Sequence, residues 1–130
     1  MSQENVEIYR EGNEAYNRGD WDALAATWDP HIVARNDPSW PEWGCHGREA
    51  VVAFFKGVRE SWGTRADIEE ILDLGDRLLV RIRYPVRAPR SGVEGEQRYS
   101  QLVTFRDGRT ILVEHFLEHD RALEALEIRE

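Results

Sequence analysis

The sequence predicts one α+β domain, with N-terminal helices packed on a curled, mostly antiparallel sheet. Three observations carry this. Apolar residues recur at helical spacing through the first half of the chain, to about Trp62. From Arg65 onward the period changes to two. Asp107-Gly108 then separates two alternating runs, which is a strong hairpin signal. Helices followed by a meander of strands indicate α+β rather than a doubly wound parallel sheet. A chain of 130 residues fits a single domain. At that length roughly 68% of the unfolded surface is buried, enough for a real core.

Ser2 can cap a first helix running to about Arg18, with Glu4 in its first turn. Ile8, Tyr9, Gly12, Ala15 and Tyr16 form its inward stripe, and Gly19 ends it. Asp20 caps a second, short helix with the stripe Trp21, Leu24, Ala25 and Trp28, stopped by Pro30. A short strand is expected over His31 to Asp37. The Pro-rich stretch from Asp37 to Gly44 reads as a loop carrying Trp40 and Trp43. A third helix over about Arg48 to Trp62 follows, with the stripe Val51, Phe54, Phe55, Val58 and Trp62. Ala66, Ile68 and Leu72 begin the alternation, and Leu74 to Arg77 makes a turn. Val80, Ile82, Tyr84 and Val86 then alternate with Arg81, Arg83, Pro85 and Arg87. The next strand is expected over Glu96 to Arg106 and the last over Thr110 to Glu118, with a short helix over Asp120 to Glu127. Three successive strands joined by short turns will curl, and a helix laid across the concave face encloses a cone.

The charge balance narrows function. Seventeen Lys+Arg against 25 Asp+Glu give a formal charge of −8. That argues against nonspecific binding to nucleic acid or to an anionic membrane, both of which need clustered cations. No apolar run approaches the ~18 residues of a membrane helix. The polar, acidic stretch from Met1 to Arg10 is unlike a signal peptide, so a cytoplasmic location is expected. Cys45 is the single cysteine, which excludes an intrachain disulfide and a multi-cysteine zinc site. Cys45 and His46 are sequence neighbours, a poor arrangement for a thiol nucleophile. His31, His46, His115 and His119 have no metal-binding spacing. No metal is expected.

The segments Tyr16-Asn17-Arg18-Gly19-Asp20-Trp21-Asp22-Ala23-Leu24, Trp28-Asp29-Pro30-His31 and Gly47-Arg48-Glu49-Ala50-Val51 carry a family resemblance. So do Thr104 to Ile111 and Asp120 to Leu126. With the element order, they make the chain similar to the SnoaL-like, or nuclear transport factor 2-like, superfamily, in particular its small stand-alone members of actinobacterial type. The resemblance covers nearly the whole chain. It implies the cone-shaped α+β barrel also called cystatin-like, an apolar pocket open at one end, and a hydrophobic, ring-shaped ligand. It also implies a homodimer through the outer sheet face, and neither metal nor organic cofactor. One such cone houses isomerases, polyketide cyclases, epoxide hydrolases, dehydratases and noncatalytic binding modules.

Set against ketosteroid isomerases, whose carboxylate base faces an oxyanion hole of Tyr and protonated Asp, Asp37-Pro38 resembles the base position, with Asn36 as a competing match. The position of the isomerase Tyr is Gly12 here, and that of the oxyanion Asp falls near Gln101 or Leu102. Epoxide hydrolases clamp a water between two carboxylates and an Arg; Asp37 with Arg35 could supply half of that. Cyclases place an acid/base carboxylate late in the chain, where Glu114, Glu118 and Asp120 stand, none of them a clear match.

Strand parity then selects the wall of the pocket. If Val80, Ile82 and Tyr84 face the cone, Arg81, Arg83 and Arg87 face out. Tyr99, Gln101, Val103 and Phe105 share one face of the next strand, and by analogy with the isomerases Val113, His115 and Leu117 face in on the last. Apolar walls with a few convergent polar tips are how ligand sites are built. The expected wall therefore comprises Tyr84, Tyr99, Gln101, Val113 and Leu117 from the sheet, and Tyr16, Trp28 and Phe55 from the helices. Trp40 and Trp43, on a loop beside Asp37, are expected at the mouth. Asp37 is the expected general base and His115 the expected proton carrier. The plainer readings are a turn-forming Asp-Pro and a hydrogen-bonded core histidine. The functional expectation is a cofactor-independent acid/base enzyme of isomerase, cyclase, dehydratase or hydrolase type, acting on a hydrophobic cyclic compound. The alternative is a noncatalytic binding protein for such a molecule, using the same pocket.

Overall fold

The computed structural model describes residues 2–36, 44–62, 65–87 and 94–129. The chain runs α1 (Ser2–Arg18), α2 (Trp21–Ala26), β1 (Trp28–Asn36), β2 (Gly44–His46), α3 (Arg48–Trp62), β3 (Asp67–Asp73), β4 (Arg77–Arg87), β5 (Glu94–Arg106), β6 (Arg109–Phe116) and α4 (His119–Arg129). The expected loop segment from Asp37 to Trp43 lies outside the described residues.

Helix α1 ends as Gly19 predicts. Its φ of 72° lets the chain reverse, while Gly19 N–H donates to the Tyr16 carbonyl at 3.0 Å and Asp20 N–H to the Ala15 carbonyl at 2.9 Å, a Schellman closure. Asp20 then caps α2 by accepting from Ala23 N–H at 3.2 Å. Trp28 corrects the expected stripe. Helix α2 closes at Thr27, whose hydroxyl donates to the Leu24 carbonyl at 2.8 Å. Trp28 already belongs to β1, paired with Thr110, and Pro30 falls within that strand rather than stopping a helix. Pairing with β6 overrides the i+7 spacing. The short strand β2 was hidden by its Pro-rich neighbours.

The sheet order is β2-β1-β6-β5-β4-β3. Strands β1 and β6 run parallel, and every other neighbouring pair is antiparallel. Period two separates the faces. Val80, Ile82, Tyr84, Tyr99, Val103, Phe105 and Val113 point into the main core. Leu79 and Leu102 point out, where α4 covers them with Ala122 and Leu126. Glu114 pairs with Leu102 across β5 and β6 and so shares the outer face. Outward Arg83 is bonded to Asp67 at 3.1 Å and Arg98 to Glu69 at 2.9 Å. Such partly exposed pairs add little stability.

Helix α3 lays Val51, Phe55 and Val58 across the concave face. Asn13 and Asn17 on α1 both donate to the Ala66 carbonyl at 3.1 Å, and Asn17 accepts from Ala66 N–H at 2.7 Å. These bonds fix α1 against the entry to β3. Arg48, in the first turn of α3, donates through Nε at 3.1 Å and also through Nη2 to the Trp28 carbonyl. Gly44 pairs with Arg35, and a Cβ there would run into the Ala34 carbonyl oxygen. Gly44→Ala should therefore destabilise the protein by about 2 kcal/mol, as overpacking does, read as a lower urea midpoint.

Candidate functional site

A cleft lies between α1 and the inner face of the sheet. The cavity measures about 60 Å³. That volume holds a few water molecules, so a ring compound fits only where wall side chains move aside or the compound extends beyond the cavity. Trp28, Phe55, Ile82, Val103 and Val113 supply apolar wall. Trp28 and Phe55 pack with ring centres 5.8 Å apart. Gly12 also lines the cleft. With no side chain, the position that resembles the isomerase Tyr contributes space instead of a hydroxyl.

The polar part is one connected strip. Tyr9 of α1 donates its hydroxyl proton to Gln101 Oε1. The Gln101 amide nitrogen donates to Tyr99 Oη at 3.2 Å and lies 3.0 Å from His115 Nε2. Tyr99 and Tyr84, stacked at 5.5 Å, bring their hydroxyls to 3.2 Å. Tyr16 packs edge-on to Tyr84 at 6.2 Å. Its hydroxyl is buried beside that of Tyr84. The register explains the assembly: Val80 pairs with Gln101 and Ile82 with Tyr99 across β4 and β5, and Gln101 pairs with His115 across β5 and β6.

Burial pushes the pKa of Tyr9, Tyr16, Tyr84 and Tyr99 well above the ordinary phenol value. All four stay protonated at neutral pH and can act as donors. Burial also lowers His115 to about 4, against a smaller upward pull from a hydrogen bond to the Arg35 backbone. His115 is 2% exposed and packs against Phe54 and Phe55 at 5.4 and 5.6 Å. It is therefore a neutral imidazole at pH 7, standing behind Gln101 and not on the cleft wall. The described wall carries no carboxylate.

A SnoaL-like domain model matches residues 9–113. This chain belongs to the SnoaL-like domain family. No curated protein matches it. Solved structures share the fold. A nuclear transport factor 2-like protein of unknown function from Mesorhizobium loti is 28% identical, with 88% of this chain and 91% of that one covered at a TM-score of 0.71. TerC co-crystallised with polyporic acid is 19% identical, with 95% and 98% covered at 0.76. A candidate SnoaL-like polyketide cyclase from Jannaschia sp. CCS1 is 21% identical, with 93% and 90% covered at 0.74.

In this SnoaL-like chain, Tyr16, Trp28, Phe55, Tyr84, Tyr99, Gln101 and Val113 stand on the cleft wall. Leu117 is packed against the core but is not on that wall. Asp37, Trp40 and Trp43 lie outside the described residues. Sequence reasoning placed Tyr9 in the helix stripe without giving it a polar role. The signal was its spacing: Tyr9 and Tyr16, seven residues apart, project from one face. Among the described residues no three His, Cys, Asp or Glu side chains gather to hold a metal ion. No helix among them is long and apolar enough to cross a membrane.

Proposed function

We propose that this chain binds a neutral, ring-containing small molecule in its cone, apolar body against Trp28 and Phe55 and an acceptor oxygen toward the tyrosine–glutamine strip. The observation that carries the reading is the strip itself: four protonated phenols and the Gln101 amide line one cleft, opposite the apolar Trp28, Phe55 and Val113. TerC, which shares the fold, was crystallised with polyporic acid, and the Jannaschia relative is named for polyketide cyclisation. Donors aimed at a carbonyl oxygen polarise it and stabilise the charge that develops when a neighbouring proton leaves. The proposed chemistry is therefore proton transfer beside a carbonyl, without a cofactor, in the manner of an isomerase, cyclase, dehydratase or hydrolase. Asp37, directly after Asn36, is the proposed base. His115, in contrast to its expected role as proton carrier, supports the strip from behind, because a ring neutral down to about pH 4 and bonded on its Nε2 side is not poised to shuttle protons. A homodimer belongs to the same proposal, and sedimentation at micromolar concentration checks it.

Hydrogen–deuterium exchange at the carbon beside the carbonyl of 1-tetralone, followed by NMR in D₂O, tests the reading. The wild-type protein should accelerate exchange, and Asp37→Asn should cut that rate by about 10²-fold or more while leaving binding in place. Binding without accelerated exchange assigns the chain to ligand binding alone. Absence of binding overturns the proposal. Gly12→Leu, which fills the cleft from α1, should abolish binding while the fold is kept, checked by titration and circular dichroism.

A further inference from the structure

Two of the four histidines have partners in the fold. His115 is bonded within the strip, and His119 Nδ1 lies 2.7 Å from Ser100 Oγ. The other two, His31 and His46, stand 15 residues apart in the chain, a spacing that suggests no shared site. The sheet register brings them together. Ile32, Ala34 and Asn36 are buried, so His31, Val33 and Arg35 face outward from β1. Antiparallel β2 sets His46 directly opposite Val33. His46 is therefore the diagonal neighbour of His31 on the same outward face. The two imidazoles lie with ring centres 5.9 Å apart and planes within 12° of parallel.

The backbone holds this pair in place. Gly47 N–H donates to the Ile32 carbonyl at 2.7 Å, directly beside the histidines. Gly47 takes a φ of 92°, which lets the chain turn from β2 into α3. His31 N–H donates to Asp29 Oδ1 at 2.8 Å, which keeps a carboxylate near the pair. Arg48, the cation that follows Gly47, is engaged with the Trp28 carbonyl. Both histidines are exposed, and among the described residues neither ring has a hydrogen-bond partner. Each ring therefore has a nitrogen to offer to an ion from solution.

An ion bound to two imidazole nitrogens at about 2.1 Å each sets the ring centres about 5.2 Å apart at the tetrahedral angle and about 6.4 Å apart in a straight line. The observed 5.9 Å lies between these limits, so a small turn of each exposed ring suffices. We propose that His31 and His46 form a surface site for a divalent transition-metal ion of the copper, nickel and zinc class, with water in its remaining positions. Imidazole ligands suit these ions, whereas magnesium and calcium require oxygen ligands. Among the described residues no third His, Cys, Asp or Glu completes the set, so affinity should follow the intrinsic order, with copper bound most tightly. Neither histidine stands on the cleft wall, and the site is independent of what the cone binds. The ion acts there as a clip between strands. Strand β2 has three residues and β1 as its one neighbour in the sheet, and the chain between the two strands carries Asp37, Trp40 and Trp43. An ion that bridges the strands binds the folded state alone and so stabilises it.

Isothermal titration of the full chain with zinc chloride, in a non-chelating buffer at neutral pH, tests the site together with NMR of the histidine rings. The wild-type protein should bind one ion per chain. The ring signals of His31 and His46 should move, and those of His115 and His119 should stay. His31→Ala and His46→Ala should each weaken binding about 10²-fold, because each leaves a single ligand where two acted together. Both positions are exposed, so both variants should fold. Excess zinc should raise the Tm of the wild type and leave that of His46→Ala unchanged. His119→Ala should bind as the wild type does. Copper chloride should bind more tightly than zinc, and magnesium chloride should not bind. Absence of zinc binding to the wild type, binding unaltered in either the His31 or the His46 variant, or one ion shared between two chains overturns the proposal.

Discussion

Gln101→Leu should be among the most destabilising single changes in this protein, at about 3 kcal/mol. The substitution keeps most of the volume and adds apolar character to an apolar core, so area alone predicts little loss. The loss arises from what Gln101 leaves behind. Tyr99 Oη loses a donor at 3.2 Å, His115 Nε2 loses one at 3.0 Å, and the Tyr9 hydroxyl loses its acceptor. Tyr99 and His115 are 4% and 2% exposed, so water does not readily replace what is lost. For a domain of this size the Tm should fall by about 10 °C, measured by scanning calorimetry. Adding Tyr99→Phe to Gln101→Leu removes one of the stranded groups. The double variant should therefore lose less than the sum of the two single changes.

Stability should fall as the solution is acidified from pH 7 to pH 5, and His115 should account for about 2 kcal/mol of that fall. The sign follows from its two protonation states. Its pKa is 6.5 in the unfolded chain and about 4 in the folded one, so between those values the unfolded chain binds the extra proton. The folded state is favoured fully above pH 6.5, loses ground as the pH drops through the window, and levels off below about 4. Urea titrations at pH 7 and pH 5 measure this directly. His115→Gln should be less steep over the same interval, because it has nothing to titrate there.

The fold was legible because its signals are redundant. Gly19 and Asp20 mark one boundary through two independent devices, a positive φ and a side-chain cap. The alternation of Val80, Ile82 and Tyr84 with arginines fixes both the strand and its inward face. Trp28 was misassigned because its spacing from Trp21 suits a helix equally well, and only its partner Thr110, 82 residues later, places it in the sheet. Strand β2 has three residues and exists only by pairing with β1. At the site, parity delivered Tyr84, Tyr99 and Gln101, since neighbouring strands must align their inward positions. Parity does not report depth. It put Gln101 and His115 on one face but could not say that His115 stands behind Gln101, off the cleft wall. Nor could it find Tyr9, whose role depends on how close α1 approaches the sheet.

The cone is proposed to take a ring compound with its oxygen against the tyrosine strip. Intermolecular nuclear Overhauser effects between bound 1-tetralone and the protein test this most directly. Contacts are expected from the tetralone aromatic protons to the rings of Trp28 and Phe55, with the protons nearest the carbonyl close to the rings of the tyrosine strip. A tetralone that binds with contacts only to residues outside the cleft, or with its carbonyl turned away from that strip, would contradict it.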